Sequence, residues 1–428
     1  MAPTDSKDLF GSFRPPPTGP PPGALAAGET FSSGAGQYEE DPEGRSTMTQ
    51  LLLSKAWPMR IIRIALLVGI GWWFARDLVY AQLPMSLEWP NTNFDNTLVD
   101  LDEIQSGGPP KDGIPPVDEP QFDSVAEADK WLNPREPVVV VSINGTTKAY
   151  PIQILIWHEI VNDSIAGVPV SVTFCPLCNA TIVFDRRMDG EVLDFGTTGR
   201  LRKSDLVMYD RQTETWWQQF TGQAIVGKKA GTVLNRIPAS IVAYEDFRDT
   251  YGDSQVLSRR TGHRRAYGNN PYRGYDTIND QPFLFFDPVD KRLPPMERVL
   301  NVSVGETHKL YPFSTFKKEP IINDQVDDMP VVVFSRQGTL SALDGSVIAE
   351  SRDVPSATAY DRRLDGKIMR FALRDGHIVD KHSGTRWNLF GTGIDGPLSG
   401  RQLEPAPGGV HFAFAWLAFN PESQIYGR

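Results

Sequence analysis

Cysteine is nearly missing from this chain, with two residues in 428, Cys175 and Cys178. One pair cannot build a disulfide framework, so a small stapled fold is excluded. Basic charge is also in short supply. Lys and Arg number 43 against 53 Asp and Glu, giving a net charge of −10. The pI is about 5.2, and without a broad cationic surface nucleic acid is excluded as a partner. Gly-x-Ser-x-Gly, His-Glu-x-x-His, Walker and dinucleotide-binding signatures are absent too. His158-Glu159 has no second histidine four residues on, which excludes a zincin. The apolar run 64–75 holds twelve residues, short of the roughly 20 that span a membrane as a helix.

What is there begins with turns. Thirty-five prolines and 37 glycines favour short strands over long helices, and the length predicts two or three domains. Residues 1–54 form a tail whose Pro15-Pro16-Pro17 and Pro20-Pro21-Pro22, set among Gly, Ser and acidic residues, predict disorder. Residues 55–81 read as a signal anchor or transmembrane segment. Lys55, Arg60 and Arg63 precede the apolar run, and Trp72-Trp73 suits a membrane interface. A cleaved signal peptide ending at Val79-x-Ala81 is the alternative, favoured if the chain starts at Met48 or Met59; a buried soluble helix is a third reading. The first two keep the N-terminus in the cytoplasm and place the bulk outside, periplasmic or extracellular, with the membrane as partner. Residues 82–136 are an extended Pro/Gly-rich approach segment with a short capped helix predicted over 123–132.

From 137 onward the chain repeats itself. Ala149-Tyr150-Pro151 returns as Leu310-Tyr311-Pro312, Ile160-Val161-Asn162-Asp163 as Ile321-Ile322-Asn323-Asp324, and Asp185-Arg186-Arg187-Met188-Asp189-Gly190 as Asp361-Arg362-Arg363-Leu364-Asp365-Gly366. Trp217-x-x-Phe220 matches Trp387-x-x-Phe390 in the same order. The repeat predicts an α+β, β-rich fold: two tandem duplicated lobes, 137–258 and 298–428, joined by a linker over 259–297. Each lobe reads as mainly antiparallel strands with a few short helices, and the pair as related by a pseudo-two-fold axis. Asn144-Gly145 predicts a hairpin turn, 150–160 a helix, 168–174 a buried strand and 240–251 a closing helix. Asn179 to Phe184 reads as strand.

Duplication supplies an internal control. Asn162, Asp163, Asp185, Arg186 and Asp189 recur and read as structural. Cys175 instead faces Arg336, Cys178 faces Thr339, and His158-Glu159 faces Glu319-Pro320. The cysteines belong to one lobe alone. With His158 just ahead of their strand, two thiolates and an imidazole predict a soft copper or zinc site. Glu159, Met208 and His411 are candidates for a fourth ligand. Two other readings stay open: thiol–disulfide exchange, for which the strand-like sequence after the pair lacks a helix N-terminus, and a structural disulfide in a binding or scaffold module.

Two further stretches are dense in chemistry. Arg202, Asp205 and Trp216, which lack counterparts in the second copy, form a possible polar ligand pocket; Asp210 and Trp217 read as turn and core. Between 260 and 276 stand four arginines and three tyrosines. These fit either an anionic ligand or a loop clamped between acidic lobes.

At Ile156-Trp157-His158-Glu159-Ile160-Val161-Asn162-Asp163, Phe174-Cys175-Pro176-Leu177-Cys178-Asn179, Ser204-Asp205-Leu206-Val207-Met208-Tyr209-Asp210-Arg211-Gln212-Thr213 and Gly268-Asn269-Asn270-Pro271-Tyr272-Arg273-Gly274-Tyr275-Asp276 the chain resembles domain of unknown function 3179, DUF3179. The resemblance covers roughly 100–428. It implies an exported or membrane-linked protein and brings no activity or catalytic residue with it.

Overall fold

Four consecutive valines, 138–141, build the first strand of the main body, β1 (Pro137–Ile143). β-branched side chains pack well on a pleated surface, and this strand is buried on both faces. Asn144 and Gly145, at φ 49° and 78°, make the two-residue turn into β2 (Thr146–Pro151), where the right-handed strand twist requires positive φ. Helix α1 (Ile152–His158) follows. A second hairpin, β3 (Ile160–Ile165) and β4 (Val168–Cys175), turns at Ala166-Gly167. β4 continues through Pro176-Leu177-Cys178-Asn179 into β5 (Ala180–Asp185), with Cys175 paired to Ala180.

The structure, a computed structural model, describes residues 85–428. Met85–Glu88 is a single helical turn, and Trp89–Arg428 forms one unit. The tail and the segment 55–81 lie outside the described residues. No helix among the described residues is long and apolar enough to cross a membrane.

After β5 come β6 (Phe195–Arg202), β7 (Asp205–Asp210), β8 (Trp216–Gln218) and β9 (Ala224–Val226), an antiparallel sheet in that order. β10 (Ala239–Ala243) pairs with β1 and leads into α2 (Tyr244–Thr250). The helix expected over 240–251 is therefore half strand. Ser240-Ile241-Val242 carries a β-branched pair that pays off against Val138–Val140 in the sheet.

Beyond the linker, β11 (Arg298–Val304), β12 (Thr307–Pro312), β13 (Ile321–Val326), β14 (Met329–Leu340) and β15 (Asp353–Asp361) repeat the hairpin pattern. A second antiparallel sheet, β16 (Phe371–Arg374), β17 (His377–Asp380), β18 (Arg386–Trp387) and β19 (Gly393–Asp395), follows. β20 (Gly408–Phe412) pairs with β11 and leads into α3 (Ala413–Phe419). The protein is thus β-rich, with several antiparallel sheets and few short helices. β10 lies against β15, and β20 lies against β5. One buried cluster takes Phe174, Met208 and Trp217 together with Val299, Phe412 and Trp416.

The recurring sequence motifs make recurring bonds. Tyr150 Oη donates to Asp163 Oδ2 at 2.6 Å, and Tyr311 Oη to Asp324 Oδ2 at 2.9 Å. Asn162 Nδ2 reaches the Phe195 carbonyl and Asn323 Nδ2 the Phe371 carbonyl, both at 2.8 Å. Arg186 and Arg362 donate to the Leu193 and Met369 carbonyls, both at 2.9 Å. Trp217 Nε1 donates to Asp210 Oδ2 at 2.9 Å, as Trp387 Nε1 does to Asp380 Oδ2 at 3.3 Å. Each satisfies a buried polar group that would otherwise cost about 1–3 kcal/mol.

Candidate functional site

Three turns converge on the two thiols. The first is the β4–β5 connection, where a short 3₁₀ turn, Pro176–Cys178, closes with Asn179 in the left-handed region at φ 47°. The second is the end of α1, where Glu159 sits at φ 59° and its carbonyl accepts from Phe174 N at 2.8 Å. The third is the β6–β7 hairpin, whose two loop residues Lys203 and Ser204 have φ 54° and 66°. A tight turn of this kind prefers Asn or Gly, so two other side chains here mark a strained turn.

That third turn brings Asp205 to the cysteines. Cys175 Sγ, Cys178 Sγ and a carboxylate oxygen of Asp205 all lie within 4.8 Å of one another. Both thiols are free and buried. They donate to the Ser204 carbonyl, Cys178 Sγ at 3.5 Å and Cys175 Sγ at 3.8 Å. Asp205 Oδ2 accepts from Gln218 Nε2 at 2.6 Å and from Phe220 N at 2.8 Å. Its Oδ1 is buried and has no nitrogen or oxygen partner.

Burial sets the protonation here, because a charge loses its hydration, and the buried Arg236, whose charge is felt by Asp205, does not offset that loss. It raises the Cys175 thiol and pushes Cys178 well above its ordinary value, with Asp205 adding to both. Burial pushes the Asp205 carboxyl up to about 7. Glu159 rises to about 8, first through burial and then through Asp205. Without a bound metal ion both thiols and Glu159 therefore hold their protons at neutral pH, while Asp205 stands close to half-ionised.

The predicted ligands divide. Cys175 and Cys178 are together, and Asp205, expected in a separate pocket, is the third donor beside them. His158 stands elsewhere: Nδ1 donates to the Pro115 carbonyl at 2.7 Å and Nε2 accepts from Tyr267 Oη at 2.6 Å. Its pKa falls to about 4 through burial. Glu159 is buried next to it, and its carboxyl makes no hydrogen bond among the described residues, but it lies outside the three-donor grouping. Met208 is fully buried core, paired to Thr197 and Trp217. His411 stacks on Trp416 and meets Asn301 Oδ1 at 3.1 Å. Arg202 pairs with Glu103 at 2.7 Å, faces Asp205 across the β6–β7 hairpin and shares Gln218 with it, reaching Oε1 at 3.4 Å. Trp216 packs edge-on to Trp89 at 5.2 Å. Of the three residues expected to line a polar pocket, Arg202 and Asp205 are thus neighbours, and Trp216 packs on Trp89 and Phe94.

Sequence reasoning did not single out the tyrosines of the linker as part of this site. Tyr272 and Tyr275 pack on the cluster that contains both cysteines. Burial, with Glu159 and Cys175 nearby, raises Tyr272 well above its usual range. The linker is held in turn by the segment after β14: Asn270 Nδ2 donates to the Gly345 carbonyl at 3.0 Å and Gly274 N to the Asp344 carbonyl at 2.8 Å.

Around Arg336 and Thr339, the positions that face the cysteines in the sequence alignment, the chain has a different shape. β14 runs on past Arg336 and Thr339 to Leu340 with one irregularity, where β4 stops at Cys175 and turns. The family model described as "Protein of unknown function (DUF3179)" matches residues 111–423. The chain belongs to this family. The match contains all three converging turns, the linker and all but the last few residues of 298–428. No curated protein and no solved structure shows significant similarity to the chain.

Proposed function

We propose that Cys175, Cys178 and Asp205 hold one soft divalent metal ion, zinc in preference to copper. The observation that carries this reading is the mutual approach of the three donor atoms within 4.8 Å, in a buried place where Asp205 Oδ1 has no other partner. Two thiolates and a carboxylate suit zinc, whereas copper(I) favours thiolate, thioether or imidazole throughout. A bound cation would reverse the local electrostatics and deprotonate the thiols outright. Glu159, buried and without a hydrogen bond among the described residues, and the Ser204 carbonyl, 3.5 Å from Cys178 Sγ, are the candidates to complete the coordination, and His158 serves to fix the end of α1.

The two halves read as a duplication about a pseudo-two-fold axis, supported by the matched bonds and by β10 on β15 against β20 on β5. The body reads as exported and tethered through 55–81, supported by the basic residues ahead of the apolar run. Thiol–disulfide exchange is the second reading, favoured by two free thiols side by side. Against it, burial raises both thiols, whereas exchange needs an accessible thiolate.

Metal content of the full chain, purified with and without added zinc, tests the proposal against a Cys175→Ser/Cys178→Ser variant. About one equivalent in the parent and a loss of at least tenfold in the variant is expected. Equal content in the two would sink it.

A further inference from the structure

A cavity of about 350 Å³ lies where β10, β15 and β20 meet, within the roughly 300–1,000 Å³ of small-molecule sites. Its wall has an unusual composition. Among the described residues no Asp, Glu, Lys, Arg or His lines it, in a chain 22% charged. A charged ligand would lose its hydration there and gain no counter-charge. The polar groups that do line it are hydroxyls and amides. Ser142 Oγ and Thr147 Oγ1 meet at 2.8 Å, and Thr358 Oγ1 and Tyr360 Oη both donate to the Leu389 carbonyl. Those last two oxygens keep lone pairs to accept with. The Ser240 hydroxyl, also on the wall, has no hydrogen-bond partner among the described residues. Rings of Tyr251 and Phe390, edge to face at 5.0 Å, complete the lining.

The repeat shows that this void is not a requirement of the architecture. Phe390 and Phe220 hold the same place in the two copies. Phe220 is packed by His411 at 4.8 Å, Phe419 at 5.0 Å and Trp416 at 5.7 Å. Phe390 has Tyr251 as its one ring neighbour among the described residues, and space is left beside it. One copy fills with aromatic side chains what the other leaves open.

We propose that this cleft binds a neutral carbohydrate of one or two rings. A sugar presents an apolar C–H face to aromatic rings and a rim of hydroxyls to hydroxyl and amide partners, and it carries no charge to desolvate. The site is independent of the thiols.

Saturation-transfer NMR on the full chain tests it, with methyl α-glucoside, methyl α-galactoside, methyl α-mannoside and cellobiose as probes and glucuronate and glucosamine as charged controls. At least one neutral sugar binds, and the charged controls bind at least tenfold more weakly. Ser240→Leu and Ala359→Leu, two separate cavity-filling variants checked for folding by circular dichroism, lose that binding at least tenfold. Cys175→Ser/Cys178→Ser retains it, which separates this site from the metal centre. No binding by any neutral probe, equal binding of the charged controls, or unchanged binding in a folded filled variant would each overturn the proposal.

Discussion

The Ser204 carbonyl accepts from Cys178 Sγ at 3.5 Å, and it does so from a turn in which both Lys203 and Ser204 are left-handed. Strain in the backbone and the thiol environment are thus one feature. The turn aims a carbonyl at the sulfurs and hands the next residue, Asp205, to the same place.

Relaxing that turn is expected to stabilise the metal-free protein. Ser204→Gly removes a left-handed side-chain penalty of roughly 1–2 kcal/mol, part of which returns as glycine's greater freedom when unfolded. A rise of about 1 kcal/mol in urea unfolding is the expected result, and a loss of stability would show that the turn is not strained.

Asp205→Asn tests the third donor without altering size. The amide oxygen can still accept from Gln218 or Phe220, so the fold survives, while the anionic ligand is gone. Zinc affinity measured by competition with a chromophoric chelator is expected to fall at least tenfold. Affinity equal to the parent would remove Asp205 from the site.

Glu159 sets a pH trend in the metal-free protein. Its carboxyl titrates at about 8 when folded against an ordinary 4.5, so between those values the folded chain keeps a proton that the unfolded chain has released. Stability contributed by this group is complete below pH 4.5 and declines as pH rises towards 8, at up to about 1.4 kcal/mol per pH unit. Relative to Glu159→Gln, the parent should lose ground across that window in thermal melts. His158, folded at about 4 against 6.5, has the opposite sign below pH 6.5, which is why the comparison with the variant is the informative one. Parallel melting curves for the two proteins would contradict this assignment.

Trp217→Phe and Trp387→Phe should behave alike, since each indole donates to an aspartate of the preceding strand. Each variant leaves a buried carboxylate short of one donor and costs about 1–3 kcal/mol. Trp217, with the shorter bond, belongs at the upper end. Zinc content per folded molecule should not change; a specific loss in Trp217→Phe would assign that residue to the site.

Much of the scaffold was legible because its signals are local. The valine run of β1 and the Asn144-Gly145 turn each state their conformation within a few residues. The repeat located shared polar groups such as Asn162 and Arg186 as structural before any contact was known. The site was legible only in its cysteines. Asp205 reaches them through Lys203-Ser204, a two-residue turn without the Asn or Gly that would announce it. His158 is near in sequence, but its ring nitrogens are taken by the Pro115 carbonyl and Tyr267, partners 43 and 109 residues away. Helix 240–251 was overextended because Ile241-Val242 pairs with a strand a hundred residues earlier.

The linker tyrosines have a kinetic consequence. Tyr272 and Tyr275 cover the cysteines, while Asp344 and Gly345, from the half that has no cysteine, fasten the chain that carries them. For the metal proposed above, this arrangement predicts that loosening the Asn270–Gly345 contact speeds exchange with bulk solvent more than it weakens equilibrium binding, which metal-release kinetics of Asn270→Ala would check.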